Sequence, residues 1–342
     1  MTKFSQFFHR KHKYLPKITI SKQEGFSCLK PKFYSRREWY WVLLSVRGTI
    51  IWDIVFRVFI FTLISVVMCI LNQLGFVVPK FNSDMHTIVG SALGLLLVYR
   101  SNTAYDRYWE ARRTWEELES ACTGLMRFIK VRESEMSREK LTEVANLILS
   151  FVFLCKQSLR GVHHPEEYIF LLDHKQTRLV EDQKFKPLVV SILINKWIKN
   201  HCHNVESKDN FQQITENYIE EITNCFGILE RIANTPVPFS YIAHLHHILL
   251  GFLITLPMFL LADYGWYTTV CTAFISFSLL GIDQSATEIE SPFGMDRNDL
   301  PLDTICLLIQ EKMLVITDTD FDMTNIEEFQ PVILDQQEII IE

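Results

Sequence analysis

The sequence predicts an all-α membrane protein in which a helical cytosolic body is continuous with the membrane helices or docks directly beneath them. Three observations carry this. Four long apolar runs are arranged as two pairs, basic residues gather on one side of each pair, and apolar residues recur at helical spacing between the pairs.

The first run, residues 58–71 (VFIFTLISVVMCIL), is uncharged, and 50–56 extends it backward with Asp53 as the only charge before Arg57. The second is 85–99 (MHTIVGSALGLLLVY), the third 248–262 (ILLGFLITLPMFLLA) and the fourth 264–282 (YGWYTTVCTAFISFSLLGI). Crossing the hydrocarbon core takes about 20 helical residues. The fourth run suffices alone; the others reach that length when their flanks join, over 49–74, 83–100 and 241–262. Buried helices of a large soluble protein are the competing reading. The aromatic flanks Trp52, Tyr99, Tyr241, Tyr264, Trp266 and Tyr267 favour interfacial belts instead.

The loops set the topology. Between the first two runs, residues 72–84 carry only Lys80 and Asp84 as charges, and the second pair turns over at Asp263. Residues 1–57 hold 12 Lys and Arg against Glu24, Glu38 and Asp53, and Arg100, Arg107, Arg112 and Arg113 follow the second run. The positive-inside rule then places both termini and the middle in the cytosol. The chain divides into a basic arm (1–47), a first transmembrane hairpin (48–100), a helical cytosolic domain (101–240), a second hairpin (241–283) and a cytosolic segment with an acidic tail (284–342). No apolar h-region follows the first basic residues, so a secretory signal is not expected. A transit peptide is the alternative to a cytosolic arm.

Composition excludes other classes. With 34 Lys+Arg against 40 Asp+Glu the net charge is −6, which argues against a nucleic-acid binder. The eight Cys are scattered without a CxxC, and Cys69 and Cys271 sit inside apolar runs; they read as free thiols of a reducing compartment. In the middle, Leu141, Val144, Ala145, Ile148, Phe151, Val152 and Cys155 recur at helical spacing, as do Ile214, Tyr218, Ile222, Cys225, Phe226, Leu229 and Ala233. Thr235-Pro236-Val237-Pro238 stops the second of these helices, because proline lacks a donor and forces its predecessor into extended geometry.

Walker A, GxGxxG, GxSxG and HExxH motifs are missing. His201/His203 and His244/His246/His247 are weak metal candidates. Asp318, Asp320 and Asp322 begin like a calcium loop, but Met323 stands where the loop needs glycine and Phe329 where it needs a bidentate Glu. Gly90 and Gly94 form a small-xxx-small pair suited to close helix approach. Ser91, Leu95 and Tyr99 recur every fourth residue as a separate stripe, open to three readings: packing, a lipid face or a narrow apolar pore neck. Asp53 and Arg57, one turn apart, form a self-neutralising pair or face a water-filled path. Residues 100–112 are dense in hydrogen-bonding and aromatic groups without a nucleophile beside a base, which suits a rigid junction more than catalysis.

RSNTAYDRYWEARRTW (100–115) and GIDQSATEIESPFGMDRNDLPLD (281–303) resemble the two signature stretches of the bestrophin family, in its bacterial and plant-type branch. LERIANTPVPFSYIAHLHH (229–247) and SVRGTI (45–50) are similar to further stretches of the same family, in the same order. The resemblance implies a homopentameric ion channel with four transmembrane helices per subunit around one central pore, and no enzyme activity. It places Ser91, Leu95 and Tyr99 of the second, pore-lining helix at the neck, and Val237 at a second, cytosolic aperture. Arg100, Asn102, Tyr105, Asp106, Arg107, Trp109, Glu110, Arg112, Asp283, Pro292, Phe293 and Gly294 are the structural signature.

Three departures stand out. Ser91 is small and polar where family members present a bulky apolar residue, which implies a wider or wetter outer neck. Gln284 replaces a common Glu. After Gly294 the run Met295-Asp296-Arg297-Asn298-Asp299 interrupts the acids that hold calcium in the animal branch, so no calcium clasp and no other cofactor is expected. The function implied is passive passage of chloride and other monovalent anions, with lipids and further copies of the chain as the only other partners. A cation-selective channel on the same fold is the alternative, and a His-dependent metal transporter or enzyme a more distant one. A bacterial inner membrane is the expected location, an organelle or thylakoid membrane the alternative.

Overall fold

The computed structural model describes residues 49–75, 83–132, 136–202, 208–296 and 298–318, with Ser83 and Lys208 as backbone only. The basic arm, the tail beyond Asp318, Lys80, Arg297, Asp320, Asp322 and His203 lie outside the described residues.

The described chain is helical from end to end, in nine α-helices. In chain order, α1 is Ile51–Gln73, α2 Ser83–Arg132, α3 Arg138–Arg160, α4 His174–Glu181, α5 Lys186–His201, α6 Lys208–Asn234, α7 Phe239–Tyr264, α8 Tyr267–Glu290 and α9 Leu302–Asp318. Two short 3-10 turns, Pro165–Glu167 and Ile169–Leu171, link α3 to α4.

The fold divides around α2. This helix of 50 residues is about 75 Å long at 1.5 Å per residue, and no glycine- or proline-rich break interrupts it where the apolar run ends. The predicted junction at residue 100 is therefore mid-helix. The upper part of α2 packs with α7 and α8, against which α1 also packs, and its lower part with α3, α6 and α9.

Two apolar cores result. The upper one joins Ile54 and Phe61 of α1, Leu93 and Leu97 of α2, Leu245, Leu249 and Leu253 of α7, and Leu280 of α8. Its outer surface stays apolar: Phe56, Phe59 and Leu63 of α1, Leu250 and Ile254 of α7, and Val270 and Phe274 of α8 are exposed. So broad an unpartnered apolar belt marks a membrane or protein contact surface. Trp52, Tyr99, Tyr264, Trp266 and Tyr267 are exposed within or beside it, as amphipathic belt residues would be. By length and composition, α1 and α7 are the described helices apolar enough to cross a membrane on their own. The fourth run falls short of that test within α8, which begins at Tyr267 and carries Thr268, Thr272 and Ser276. Those three are buried one turn apart, and small hydroxyl side chains let helix backbones approach closely.

The lower core is larger and centres on α3, whose residues are buried on every face from Val144 to Cys155 apart from the partly covered Asn146. A helix apolar all round belongs in the middle of a bundle. Ser137 caps its start and Gly161, at φ 65°, its end. α4 opens with a capping box, in which Asp173 accepts from the backbone N–H of Gln176 at 2.7 Å and the Gln176 side chain accepts from that of Asp173 at 3.0 Å.

The predicted stop at 235–238 is observed: α6 ends at Asn234, four non-helical residues follow, and α7 starts at Phe239. Three local expectations are corrected. The second hairpin turns at Gly265, not Asp263, since Gly265 supplies a φ of 52° that a side chain would resist. Asp53 and Arg57 form no ion pair among the described residues. Arg57 donates instead to Gln284 of α8 at 3.5 Å, and Asp53 sits in the first turn of α1, where the helix dipole favours an acid. Of the glycine pair, Gly90 alone gives a close approach. A Cβ there would meet the Phe252 ring at 3.0 Å, whereas one at Gly94 would meet nothing within 4 Å.

Candidate functional site

Ser91, Leu95 and Tyr99 lie on one exposed face of α2, with Leu95 72% and Tyr99 62% accessible. Leu93 and Leu97, between them in sequence, are buried against the other upper helices. The stripe is thus separate from the packing face, which removes packing from the three readings that the spacing left open. It carries no charge. The Ser91 hydroxyl turns back to donate to the Thr87 carbonyl at 2.9 Å, which leaves its lone pairs outward. The Tyr99 ring meets Tyr241 of α7 edge-on, with centroids 6.2 Å apart.

Directly below Tyr99 the surface gives way to a buried charge cluster. Arg100, 4% accessible, donates to Asp283 of α8, to Thr287 Oγ1 at 2.9 Å, and lies 3.7 Å from Glu290. His246 of α7 joins it: its Nε2 is 3.0 Å from Arg100 Nη1 and 3.1 Å from Asp283 Oδ2. Three helices are therefore tied at one level by a guanidinium and a carboxylate that water barely reaches. A buried guanidinium needs such partners because isolated charge is expensive in an apolar setting.

Two turns lower, Arg107 serves as a cap. Its three nitrogens donate to the carbonyls of Ile232 at 2.9 Å, Thr235 at 2.7 Å and Glu290 at 3.2 Å. Those carbonyls belong to the ends of α6 and α8, where helices leave acceptors unmet and favour cations. This arrangement fixes the approach to Val237, which is half-buried between the exposed Pro236 and Pro238.

The remaining signature residues divide between structure and surface. Glu110 pairs with Arg231 of α6 at 2.7 Å, and Arg112 with Glu116 at 2.8 Å. Tyr105 and Trp109 stack with centroids 6.4 Å apart on the exposed side. Asn102 and Asp106 are exposed. Pro292, Phe293 and Gly294 make the turn after α8: Phe293 is buried, and the Pro292 carbonyl accepts from Leu300 N at 2.9 Å. A Cβ at Gly294 would sit 2.6 Å from Asp299 Oδ2, so a larger residue there would have to displace the Asp299 carboxylate. Burial pushes the Asp299 carboxyl up to about 6, against the backbone N–H of Asp296 that lowers it. Asn298 donates to Glu288 in the same turn.

Sequence reasoning missed a second buried cluster in the lower core. Lys156 of α3, 2% accessible, donates to Glu167 at 2.6 Å and to Asp303 of α9 at 2.9 Å. Arg160 donates to Asp303 at 2.8 Å and Gln157 to Glu167 at 2.9 Å. Burial alone would lower the Lys156 ammonium, but the groups around it, Glu167 and Asp303 among them, hold it above its usual value. The sequence signal was a lysine one residue after the apolar run ending at Cys155.

The histidines are dispersed. His246 belongs to the Arg100 cluster, while His244 and His247 are exposed on other sides of α7, and His201 Nδ1 donates to the Trp197 carbonyl of its own helix at 2.9 Å. Among the described residues no three His, Cys, Asp or Glu are grouped to hold a metal ion.

An all-helical membrane protein is what the fold defines, with an uncharged stripe on a long helix above two arginines that each tie neighbouring helices together. The family described as Bacterial/Fungal Bestrophin protein matches residues 32–315. A voltage-dependent anion channel-forming protein of Nostoc sp. is 34% identical over 281 residues, covering 80% of this chain and 89% of that one. A counterpart of that description, YneE of Salmonella typhi, is 28% identical over 287 residues, covering 83% and 93%. Among solved structures, a bacterial bestrophin homologue from Klebsiella pneumoniae superposes with a TM-score of 0.73 at 26% identity, covering 78% of this chain and 99% of its own. The chain belongs to the bestrophin family.

Proposed function

We propose that this protein is an ion channel that passes chloride and other monovalent anions passively through one axial pore, shared by five copies of the chain. The observation that carries the reading is the exposed, uncharged stripe of Ser91, Leu95 and Tyr99 on a helix whose rotation is locked one residue later by Arg100. In this reading α2 lines the pore, and α1, α7 and α8 complete four membrane crossings. The relatives described as anion channel-forming proteins support the ion class.

The neck works by its apolarity. Leu95 and Tyr99 rings narrow the path until a water column is barely stable, so ions cross when the neck is wet and stop when it dries. Ser91 keeps the outer end wetter. Val237, framed by two prolines and held by the Arg107 cap, forms the cytosolic aperture. No covalent step and no cofactor is required. The basic residues at the foot of each membrane pair support cytosolic termini, in a bacterial inner membrane bounded by lipid.

Leu95→Ala and Tyr99→Ala are each expected to raise single-channel conductance or loosen ion selectivity in planar bilayers, since each widens and wets the neck. Currents unchanged in both would remove the stripe from the pore.

A further inference from the structure

With no charge at the neck itself, the sign of the permeating ion has to be weighted by charges near it. Below Tyr99 the same face of α2 continues through Asp106, Glu110, Arg113 and Glu117, all exposed. These are 7, 11, 14 and 18 residues on, so at 100° per residue each falls within about 40° of Tyr99 around the helix. They are not equivalent. The Glu110 charge is answered by Arg231 at 2.7 Å. Arg113 and Glu117 lie about 21 and 27 Å below Tyr99 along the axis, two or more Debye lengths away at physiological salt. Asp106 lies about 10 Å below it, close to one Debye length.

Asp106 also stands apart from its charged neighbours. Arg100, Arg107, Glu110 and Arg112 are all engaged in ion pairs or carbonyl caps, whereas Asp106 is exposed and makes no hydrogen bond or ion pair among the described residues. An unpaired carboxylate at this level is unnecessary for packing and has its full charge available to the solvent.

We infer that Asp106 is a selectivity-determining residue: repeated around the pore axis, its carboxylate forms a collar beneath the neck that gathers cations and holds back anions. Rings of acidic side chains beside a narrow path act in this way in cation pathways. This deepens the channel reading and rests on it. The anion preference is the one that the relatives described as anion channel-forming proteins support, and the collar limits how strong it is. The wild-type reversal potential in a KCl gradient is then on the chloride side of zero but short of the chloride equilibrium potential.

The test is the reversal potential of Asp106→Asn, Asp106→Arg and Asp106→Glu in planar bilayers under a KCl gradient, at low and at high salt, with Leu95→Ala as a reference. Asp106→Asn is expected to move the potential toward that of chloride, Asp106→Arg further, and Asp106→Glu not at all. The shift shrinks at high salt, where screening shortens the reach of the collar. If Leu95→Ala alters the current while Asp106→Asn and Asp106→Arg leave the reversal potential in place, the collar is refuted and the pore stands. If Leu95→Ala and Tyr99→Ala change nothing, the pore assignment falls and the collar with it.

Discussion

Asp283→Ala lowers the melting temperature of the detergent-purified protein by about 5–10 °C, corresponding to about 3–5 kcal/mol for a buried pair broken from one side. The reason is what remains. Arg100 stays 4% accessible and keeps a threonine, the His246 ring nitrogen and Glu290 at 3.7 Å, none of which replaces the carboxylate that faced it. Glu290 offsets part of the lost charge and keeps the cost toward the lower end. Asp283→Asn retains an acceptor at the same place and is expected to cost less than Asp283→Ala. A Leu substitution at both Arg100 and Asp283 removes both charges together, and recovers much of the loss. Equal melting temperatures for Asp283→Ala and wild type would mean that Arg100 is solvated.

Lys156→Met has an effect of the same size for the mirrored reason. Methionine fills most of the lysine volume, so the cavity is small, but Glu167 is left 3% accessible with Gln157 as its one remaining side-chain donor at 2.9 Å. Asp303 retains Arg160 at 2.8 Å. The expected cost is again about 3–5 kcal/mol, read as a melting shift. Adding Glu167→Gln to Lys156→Met should restore part of it, since the orphaned charge disappears; two residues in direct contact are where additivity fails. A double variant no better than Lys156→Met would assign the loss to packing. The acid limb follows from Asp303. Burial raises that carboxyl, but Lys156 and Arg160 outweigh it and hold it below the ordinary aspartate value. The network's contribution is therefore present above that pH and is lost as pH falls through the lowered value.

What could be read from the sequence was what is local. The apolar runs, the α6 stop at Thr235-Pro236-Val237-Pro238 and the helical spacing of Ser91, Leu95 and Tyr99 depend on neighbours within a few residues, and all three are observed. Partners far apart in the chain were not legible: Arg100 and Asp283 are separated by 183 residues, and Lys156 and Asp303 by 147. Nothing in spacing tells an arginine which helix will supply its acid. The same blindness explains Arg57, whose one-turn neighbour Asp53 was the obvious partner but which tertiary packing brings to Gln284. Gly90 and Gly94 show the limit of small-residue motifs, since the Phe252 ring uses one glycine and ignores the other. The histidine group at 244–247 looked like one feature in sequence. The 100° advance per residue separates it, sending His246 to Arg100 and leaving its neighbours outside.

The most direct measurement is the reversal potential of the reconstituted wild-type protein in a planar bilayer under a KCl gradient. A value on the chloride side of zero, short of the chloride equilibrium potential, is the predicted result. A value on the potassium side, or no conductance in any salt, would contradict the account.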